Sequence, residues 1–419
     1  MPQTRDRAVV IGGGFAGLLA ARALAAHFAT VTVIERDPRT DAAHRRGVPQ
    51  FHHPHGLLHR GAEALETLFP GLRAELRERG AATFDFGERT RILFPSGWAP
   101  AGPVGVDHLA CSRALLDDLL HRRVGVLPPV RQVTATVTNL IWYDSRVAGV
   151  RDVTGAVHPA ELVVDASGRT SRLTDWLTRS GRPVPTRAHV FAGLTYVTRV
   201  YEDTLDQDWH MSTEMTYAPT IRRGCLIQRV EAARVLLTLI GADGVRPPYD
   251  TDGFEEYAAT LRSPHPLDVI RTCTPLGRTY RYGGLHNHWN PYHHMRDWPD
   301  GLIALGDSVA ALNPIYGHGL TVAALEALAL RDLLAQNPGR GLTRRFQRTA
   351  ADIIRVPWLL ASRSDAAWRP HTQRPSVRLT NWGLRRCLGR VPDRPELYRK
   401  VVTVQNLLAH PATLAFSWP

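Results

Sequence analysis

Arg7-Ala8-Val9-Val10-Ile11 runs directly into Gly12-Gly13-Gly14-Phe15-Ala16-Gly17, and the fold is decided in this stretch. A short apolar run of this kind reads as a strand buried on both faces. The glycines after it form G-x-G-x-x-G. An Ala- and Leu-rich stretch from about Phe15 to His27 reads as a helix, and Thr30-Val31-Thr32-Val33-Ile34 as a second strand closed by Glu35. Gly12 permits the tight turn, Gly14 lets a pyrophosphate approach the main chain, and Gly17 lets the helix pack closely on the strand. The helix N-terminus, with Phe15 and Ala16 in its first turn, offers free N–H groups to an anion. Glu35 stands 18 residues after Gly17, where a carboxylate can accept bonds from ribose hydroxyls, and Arg36 beside it is a further candidate contact. Strand, glycines, helix, strand and acid in register predict a dinucleotide site. The acid favours a free ribose hydroxyl over a 2′-phosphate, so FAD or NAD(H) fits better than NADP(H).

Two later motifs separate these possibilities. Leu162-Val163-Val164-Asp165-Ala166-Ser167-Gly168-Arg169 reads as a buried strand ending in an acid and a glycine turn. Gly301-Leu302-Ile303-Ala304-Leu305-Gly306-Asp307-Ser308 reads as another strand. It is followed by Asn313-Pro314-Ile315-Tyr316-Gly317-His318-Gly319-Leu320 and an Ala- and Leu-rich helix to about Gln336. With the N-terminal glycines, and in this order over roughly residues 7–340, these motifs resemble the FAD-dependent monooxygenases of the para-hydroxybenzoate hydroxylase type. The resemblance implies an α/β fold with a discontinuous, Rossmann-like FAD-binding domain of the glutathione-reductase type. A β-sheet substrate domain and a C-terminal helical region would complete it. It also implies site residues. Gly306 and Asp307 would meet the ribitol chain of FAD. Asn313, Pro314, Gly317, His318 and Gly319, with Leu320 at the helix start, would face the isoalloxazine ring. Asp165 and Gly168 would lie near the pyrophosphate and a transiently docked NAD(P)H. Arg113, within Cys111-Ser112-Arg113-Ala114-Leu115-Leu116, would sit on a helix beside the flavin. His55 is a further candidate for positioning the flavin or a loop.

A narrower likeness lies in Arg46-Gly47-Val48-Pro49-Gln50 and His53-Pro54-His55-Gly56-Leu57-Leu58-His59-Arg60-Gly61. It continues in residues 63–72 and in Pro357-Trp358-Leu359-Leu360-Ala361. These segments resemble a bacterial subgroup related to squalene epoxidase, including epoxidases that act on polyene polyketides before polyether ring closure. The implied chemistry is reduction of FAD by NAD(P)H, addition of O2 to give a C4a-hydroperoxyflavin, and transfer of its distal oxygen to an electron-rich carbon. The cofactor supplies that chemistry, and the protein supplies orientation and a dry, shaped pocket. An alkene attacks with its own π bond, whereas phenol hydroxylation benefits from a base. The sequence assigns no catalytic residue, and Tyr196, Tyr217, His210 and Glu214 are only candidates for such a base. An apolar, polyene- or polyketide-like substrate is therefore expected, epoxidised or else hydroxylated, free or presented by an acidic carrier protein. A redox-neutral, FAD-containing cyclase and a non-catalytic flavin-binding protein are the alternatives.

Composition narrows the field. Lys plus Arg number 51 against 39 Asp plus Glu, a net charge of +12, yet Lys400 is the only lysine. Lysine-tethered cofactors and phosphate-loop nucleotide hydrolysis are thereby disfavoured. Flavin-dependent halogenases need a lysine between flavin and substrate, and the Trp-x-Trp-x-Ile-Pro segment of that branch is also missing, so halogenation is disfavoured. No aromatic-basic nucleic-acid module accompanies the charge. The four cysteines (111, 225, 273, 387) are far apart and form no C-x-x-C, which points away from a dithiol centre and towards a reducing, cytoplasmic setting. No apolar run reaches the roughly 18 residues of a membrane span. Two histidine groups, residues 52, 53, 55 and 59 and residues 286, 288, 293 and 294, lack the cysteine or carboxylate that would complete a metal site.

The expected organisation is an FAD domain from 1–80, 105–180 and 275–340, and a substrate domain from 81–104 and 181–274. Residues 341–419 form helices over the pocket. Val190 to Val200 and Gly224 to Ile240 are the β-like runs of the substrate domain.

Overall fold

The computed structural model describes residues 5–38, 49–336, 341–369 and 375–417. Arg46-Gly47-Val48 of the narrower likeness lie outside them. Five strands form one parallel sheet in the spatial order Leu302–Ala304, Leu162–Asp165, Arg5–Ile11, Phe28–Glu35, Val130–Thr134. Numbered along the chain this order is 5-4-1-2-3. The connection reverses direction at the first strand, and such a switch point opens a crevice at the carboxyl ends of the strands. Glu35, Gly12, Asp165 and Gly306 all sit at those ends.

The motif elements have simple local causes. Val9 and Val10 are 1% and 0% exposed, because helices cover one face of the sheet and an antiparallel three-stranded meander with its own core covers the other. The first helix spans Phe15–Leu24, three residues shorter than its composition suggested. The His27 amide donates to Leu24 O (2.8 Å), while the His27 carbonyl accepts from Arg5 N (3.1 Å). The chain is thus drawn into the sheet two residues early, and the second strand begins at Phe28.

A second sheet of eight strands stands apart from the first. Its order is Ala310–Ala311, Tyr280–Trp289, Ala188–Glu202, Arg234–Gly241, Arg223–Val230, Met211–Glu214, Thr90–Phe94, Gly97–Trp98. Tyr280–Trp289, in the 275–340 stretch, pairs antiparallel with Ala188–Glu202. The run read as Gly224 to Ile240 is a hairpin. It turns at Ala232 and Ala233, both in the left-handed region (φ 58° and 48°). Directly opposed residues in a sheet share a face. Val197, Cys225, Ile227, Leu237 and Leu239 pack on one side under helices Thr251–Ala259 and His265–Thr272. Leu194, Tyr196 and Ile240 lie on the other side, against Ile315 and Trp368.

The C-terminal region is helical, with helices Leu342–Ala366, Pro375–Leu388 and Pro395–Gln405. The first of these packs on helix His318–Ala335 and on the long strand Ala188–Glu202. No helix among the described residues is long and apolar enough to cross a membrane. All four cysteines are buried and free.

Candidate flavin site

Four segments converge on the crevice, and glycines are the points of contact. Gly12 has φ +98°, and a Cβ there would stand 2.6 Å from Ala166 O. A Cβ on Gly306 (φ +70°) would lie 2.9 Å from Ala16 Cβ, which brings the first and third motifs together. A Cβ on Gly56 would lie 3.2 Å from Gly317 Cα. A Cβ on Gly17 would collide with Gly12 O, so the helix packs against the turn only because no side chain intervenes. Gly14 differs, since a Cβ there meets nothing within 4 Å. No side chain caps the helix that Gly14 precedes. First-turn amides above an open glycine are what a pyrophosphate requires. The cradle therefore fits a dinucleotide.

Glu35 is pinned at the tip of its strand. Its Oε2 accepts from Gly13 N (2.6 Å) and its Oε1 from Asp37 N (3.1 Å). A carboxylate held at this point is placed to accept from a ribose hydroxyl. Arg36 is exposed beside it and pairs with Asp37 (3.5 Å). Phe15 is buried in the core, and the Arg113 guanidinium carbon stands 5.3 Å from its ring centroid. Arg113 is itself buried and donates from Nε to Asp117 Oδ1 (2.7 Å). Ser112 caps that helix by accepting from Leu115 N, and both its amide and its hydroxyl donate to Glu231. His55 Nδ1 donates to His53 O (2.8 Å), which leaves Nε2 as the acceptor. Burial, then the nearby Arg113 charge, lowers the His55 pKa to about 3, so the ring is neutral.

Asp165 is fully buried and spends its carboxyl group on its own turn. Oδ1 accepts from Ser167 N (3.0 Å) and Oγ (2.5 Å), and Oδ2 accepts from Ser171 Oγ (2.5 Å). It shapes the loop carrying Gly168, whose φ is +79°. Arg169, next in line, donates to His286 O (2.8 Å) and Leu312 O (3.0 Å), tying this loop to the eight-stranded sheet. Asp307 is different again. Burial raises its pKa, against the charges of Arg169 and Arg113, and no protein donor among the described residues bonds its carboxyl. Gly319, at the start of helix His318–Ala335, would place a Cβ 3.9 Å from Asp307 Oδ1. A half-buried carboxylate without a protein donor, beside an uncapped helix start, suits the hydroxyls of a ribitol chain. Glu326 supports it from below, accepting from Gly306 N (2.6 Å).

The loop from Asn313 to Gly319 is held from behind. Asn313 is 0% exposed, and its Oδ1 accepts from Ile315 N (3.2 Å) and Tyr196 Oη (3.1 Å). Pro314 opens a single 3-10 turn that ends at Gly317 with φ +68°. Leu320 is half-buried against the main core. His318 is fully buried, and neither ring nitrogen has a hydrogen-bond partner among the described residues. Burial lowers its pKa to about 4, opposed by the main chain at Gln405.

The candidate bases separate by face. Glu214 is on the sheet side away from the crevice, where it accepts from Arg262 N, Arg262 Nε and Ser263 N (2.9–3.0 Å). It is a structural clamp. His210 stacks on Phe84 (4.8 Å between centroids). Tyr217 has a buried hydroxyl without a partner among the described residues, and burial raises its pKa against the charge of Arg385. Only Tyr196 reaches the loop. Sequence reasoning missed His53, which is 5% exposed and bonds through Nδ1 to Thr198 Oγ1 (2.6 Å), itself bonded to Thr238 Oγ1 (2.6 Å). Its Nε2 has no partner among the described residues, and its ring centroid lies 5.8 Å from that of Tyr282. Of the two histidine groups, His52 stacks on Tyr280 and His293 on Trp289. No group of three or more His, Cys, Asp or Glu among the described residues is placed to hold a metal ion.

Fold and cradle together define a flavin-dependent oxidoreductase. Residues 7–97 match the FAD dependent oxidoreductase family model. The chain belongs to the family of protein Rv3254 of Mycobacterium tuberculosis (strain ATCC 25618 / H37Rv), with 30% identity over 89% of this chain and 83% of that one. It is an FAD-dependent oxidoreductase. Solved structures sharing the fold include Pseudomonas aeruginosa PqsL in complex with 2-aminobenzoylacetate (TM-score 0.68, 16% identity, covering 94% of this chain and 100% of that one). The flavin-dependent brominase Bmp2 aligns at TM-score 0.66 and 17% identity, over 98% and 97% of the two chains. The Diels-Alderase PyrE3 aligns at 0.63 and 19%, over 96% and 80%. At these identities the likeness is one of fold.

Proposed function

We propose that the protein is a monooxygenase that epoxidises an apolar, polyene- or polyketide-like substrate, with NAD(P)H as transient reductant. The observation that carries this reading is the sheet face opposite the Asn313–Gly319 loop. Ile92, Leu226, Ile240, Leu194 and Val200 share it with Thr198, Thr238, Tyr196 and Tyr282. His53 is hydrogen-bonded to Thr198 on that face. Burial lowers its pKa to about 4, too low to deprotonate a phenol.

FAD, when bound, supplies oxygen activation. Gly12 to Gly17 would hold its pyrophosphate, Glu35 the ribose and Asp307 the ribitol chain. The apolar sheet face would orient an alkene against the loop and exclude water, which lowers the local dielectric. Tyr196 and His53 offer hydrogen bonds to a polar terminus of the substrate and hold no proton that the reaction must move.

The same face would also cradle a polyene for redox-neutral cyclisation, and the fold is shared with a Diels-Alderase. One experiment separates the readings. FAD-loaded protein is mixed anaerobically with NADH or NADPH, with and without lipophilic polyenes, and the visible flavin band is followed before air is admitted. Bleaching, then an epoxide on aeration, is the expected result. A band that persists with both nucleotides and every polyene would reject oxygen transfer, and product formed without nucleotide or oxygen would establish the cyclase.

A further inference from the structure

Asp365 lies in the helix Leu342–Ala366, outside every motif that marks the flavin site, and is 0% exposed. Three donors from two other segments meet its carboxyl group. Asn287 Nδ2 (2.6 Å) and Asn313 Nδ2 (2.8 Å) reach Oδ2, and Tyr316 Oη (2.7 Å) reaches Oδ1. Asn287 Oδ1 in turn accepts from Asn313 N (2.7 Å). Asn313 Oδ1 accepts from Tyr196 Oη on the sheet face. Burial raises the Asp365 pKa only to about 6, because Tyr316, Asn313 and Asn287 all pull it down, so the group is a carboxylate at neutral pH.

Donor and acceptor logic then fixes the whole set. A carboxylate only accepts, so both asparagine amides must turn their NH2 groups towards Asp365. Asn313 Oδ1 is thereby aimed at Tyr196, whose proton is committed to it. The Ile315 amide lies against the Tyr196 oxygen as well, which closes the loop onto the sheet face. An amide at position 365 would keep this set, its oxygen accepting from Asn287 and Asn313 and its NH2 turned to Tyr316 Oη, whereas an apolar side chain there leaves all three donors without their acceptor.

We infer that Asp365 is a positioning residue that sets the conformation of the Asn313–Gly317 loop and, through Asn313, the placement of Tyr196 against it. The inference rests on the assignment of this loop to the flavin and not on oxygen transfer.

The test uses full-length protein loaded with FAD. Asp365→Leu fills the same space without an acceptor and should shift the shape of the visible flavin band and weaken FAD retention about tenfold, the equivalent of one lost buried hydrogen bond. Asp365→Asn keeps an acceptor for Asn287 and Asn313 and should hold band and retention close to wild type. That contrast is not expected of a residue that merely fills space. Should Asp365→Leu fold poorly, Tyr316→Phe removes one donor and should shift the band in the same sense. Folded Asp365→Leu or Tyr316→Phe with a wild-type band, or Asp365→Asn no closer to wild type than Asp365→Leu, would overturn the inference. A wild-type protein that retains no FAD would overturn it together with the loop assignment.

Discussion

Gly12 and Ala166 touch so closely that a Cβ on Gly12 would stand 2.6 Å from the Ala166 carbonyl oxygen, at a φ of +98°. The first turn of the chain is therefore seated on the mid-chain turn before any cofactor arrives. Gly12→Ala should destabilise the protein itself by about 1–3 kcal/mol, through left-handed strain and the lost contact. Gly14, open on its outer side, should behave differently. Gly14→Ala should leave the melting temperature of flavin-free protein near wild type and lower FAD retention. Melting curves of stripped protein, with flavin absorbance after gel filtration, distinguish the two. Equal melting losses in both variants would contradict the assignment.

The parallel sheet was legible because each of its motif strands carries its own signal: apolar run, glycine turn, acid. Gly12, Gly17 and Gly306 could be assigned from type and spacing, since only glycine fits those contacts. Asp165 was legible as a motif acid but not in its bonding, because the serines that occupy it lie two and six residues on. The hairpin at Ala232-Ala233 carried no turn residue, so two strands read as one. His53 and Asp365 were out of reach for a different reason. Asp365 sits in a strongly amphipathic helix, where an acid ordinarily reads as solvated, and only long-range packing brings Asn287 and Asn313 to it. Glu214 could not be separated from the other candidate bases, because β alternation fixes a side chain's face only once the register is known.

Glu214 accepts two main-chain amides and the Arg262 guanidinium. Truncation would leave these donors unpaired at a residue only 2% exposed. Glu214→Ala should cost roughly 1–3 kcal/mol of stability for each buried donor left without a partner. The variant that folds at low temperature should keep wild-type flavin absorbance and turnover per bound flavin. A selective fall in turnover with unchanged stability would restore Glu214 as a catalytic base.

Glu326 should impose a pH dependence of its own. Burial raises its pKa from 4.5 to about 8, with Asp307 adding and the Gly306 amide opposing. Between these values the native protein holds a proton that the unfolded chain releases, so this group's contribution to stability falls as pH rises through the window. In Glu326→Gln the amide oxygen can still accept from Gly306 N, and that dependence disappears. Urea midpoints across the window should therefore decline less steeply with pH in the variant. Parallel profiles would show that Glu326 is ionised in the native state.

The buried histidines act in the opposite direction. His53, His108 and His318 have pKa values lowered by burial from 6.5 to about 4. The unfolded chain binds protons that the native protein refuses between those values. Their contribution to stability is thus fully present above pH 6.5 and is lost as pH falls through the window towards 4. His318 is a clear probe, because burial is the main cause of its shift and only the main chain at Gln405 opposes it. His318→Leu keeps a similar volume and removes the titrating group. Its unfolding midpoint should fall less steeply than wild type on acidification from pH 6.5, and the two proteins should differ least above that value. An unchanged acid slope in the variant would mean that His318 takes up its proton while the protein is still folded, with the main chain at Gln405 as its acceptor.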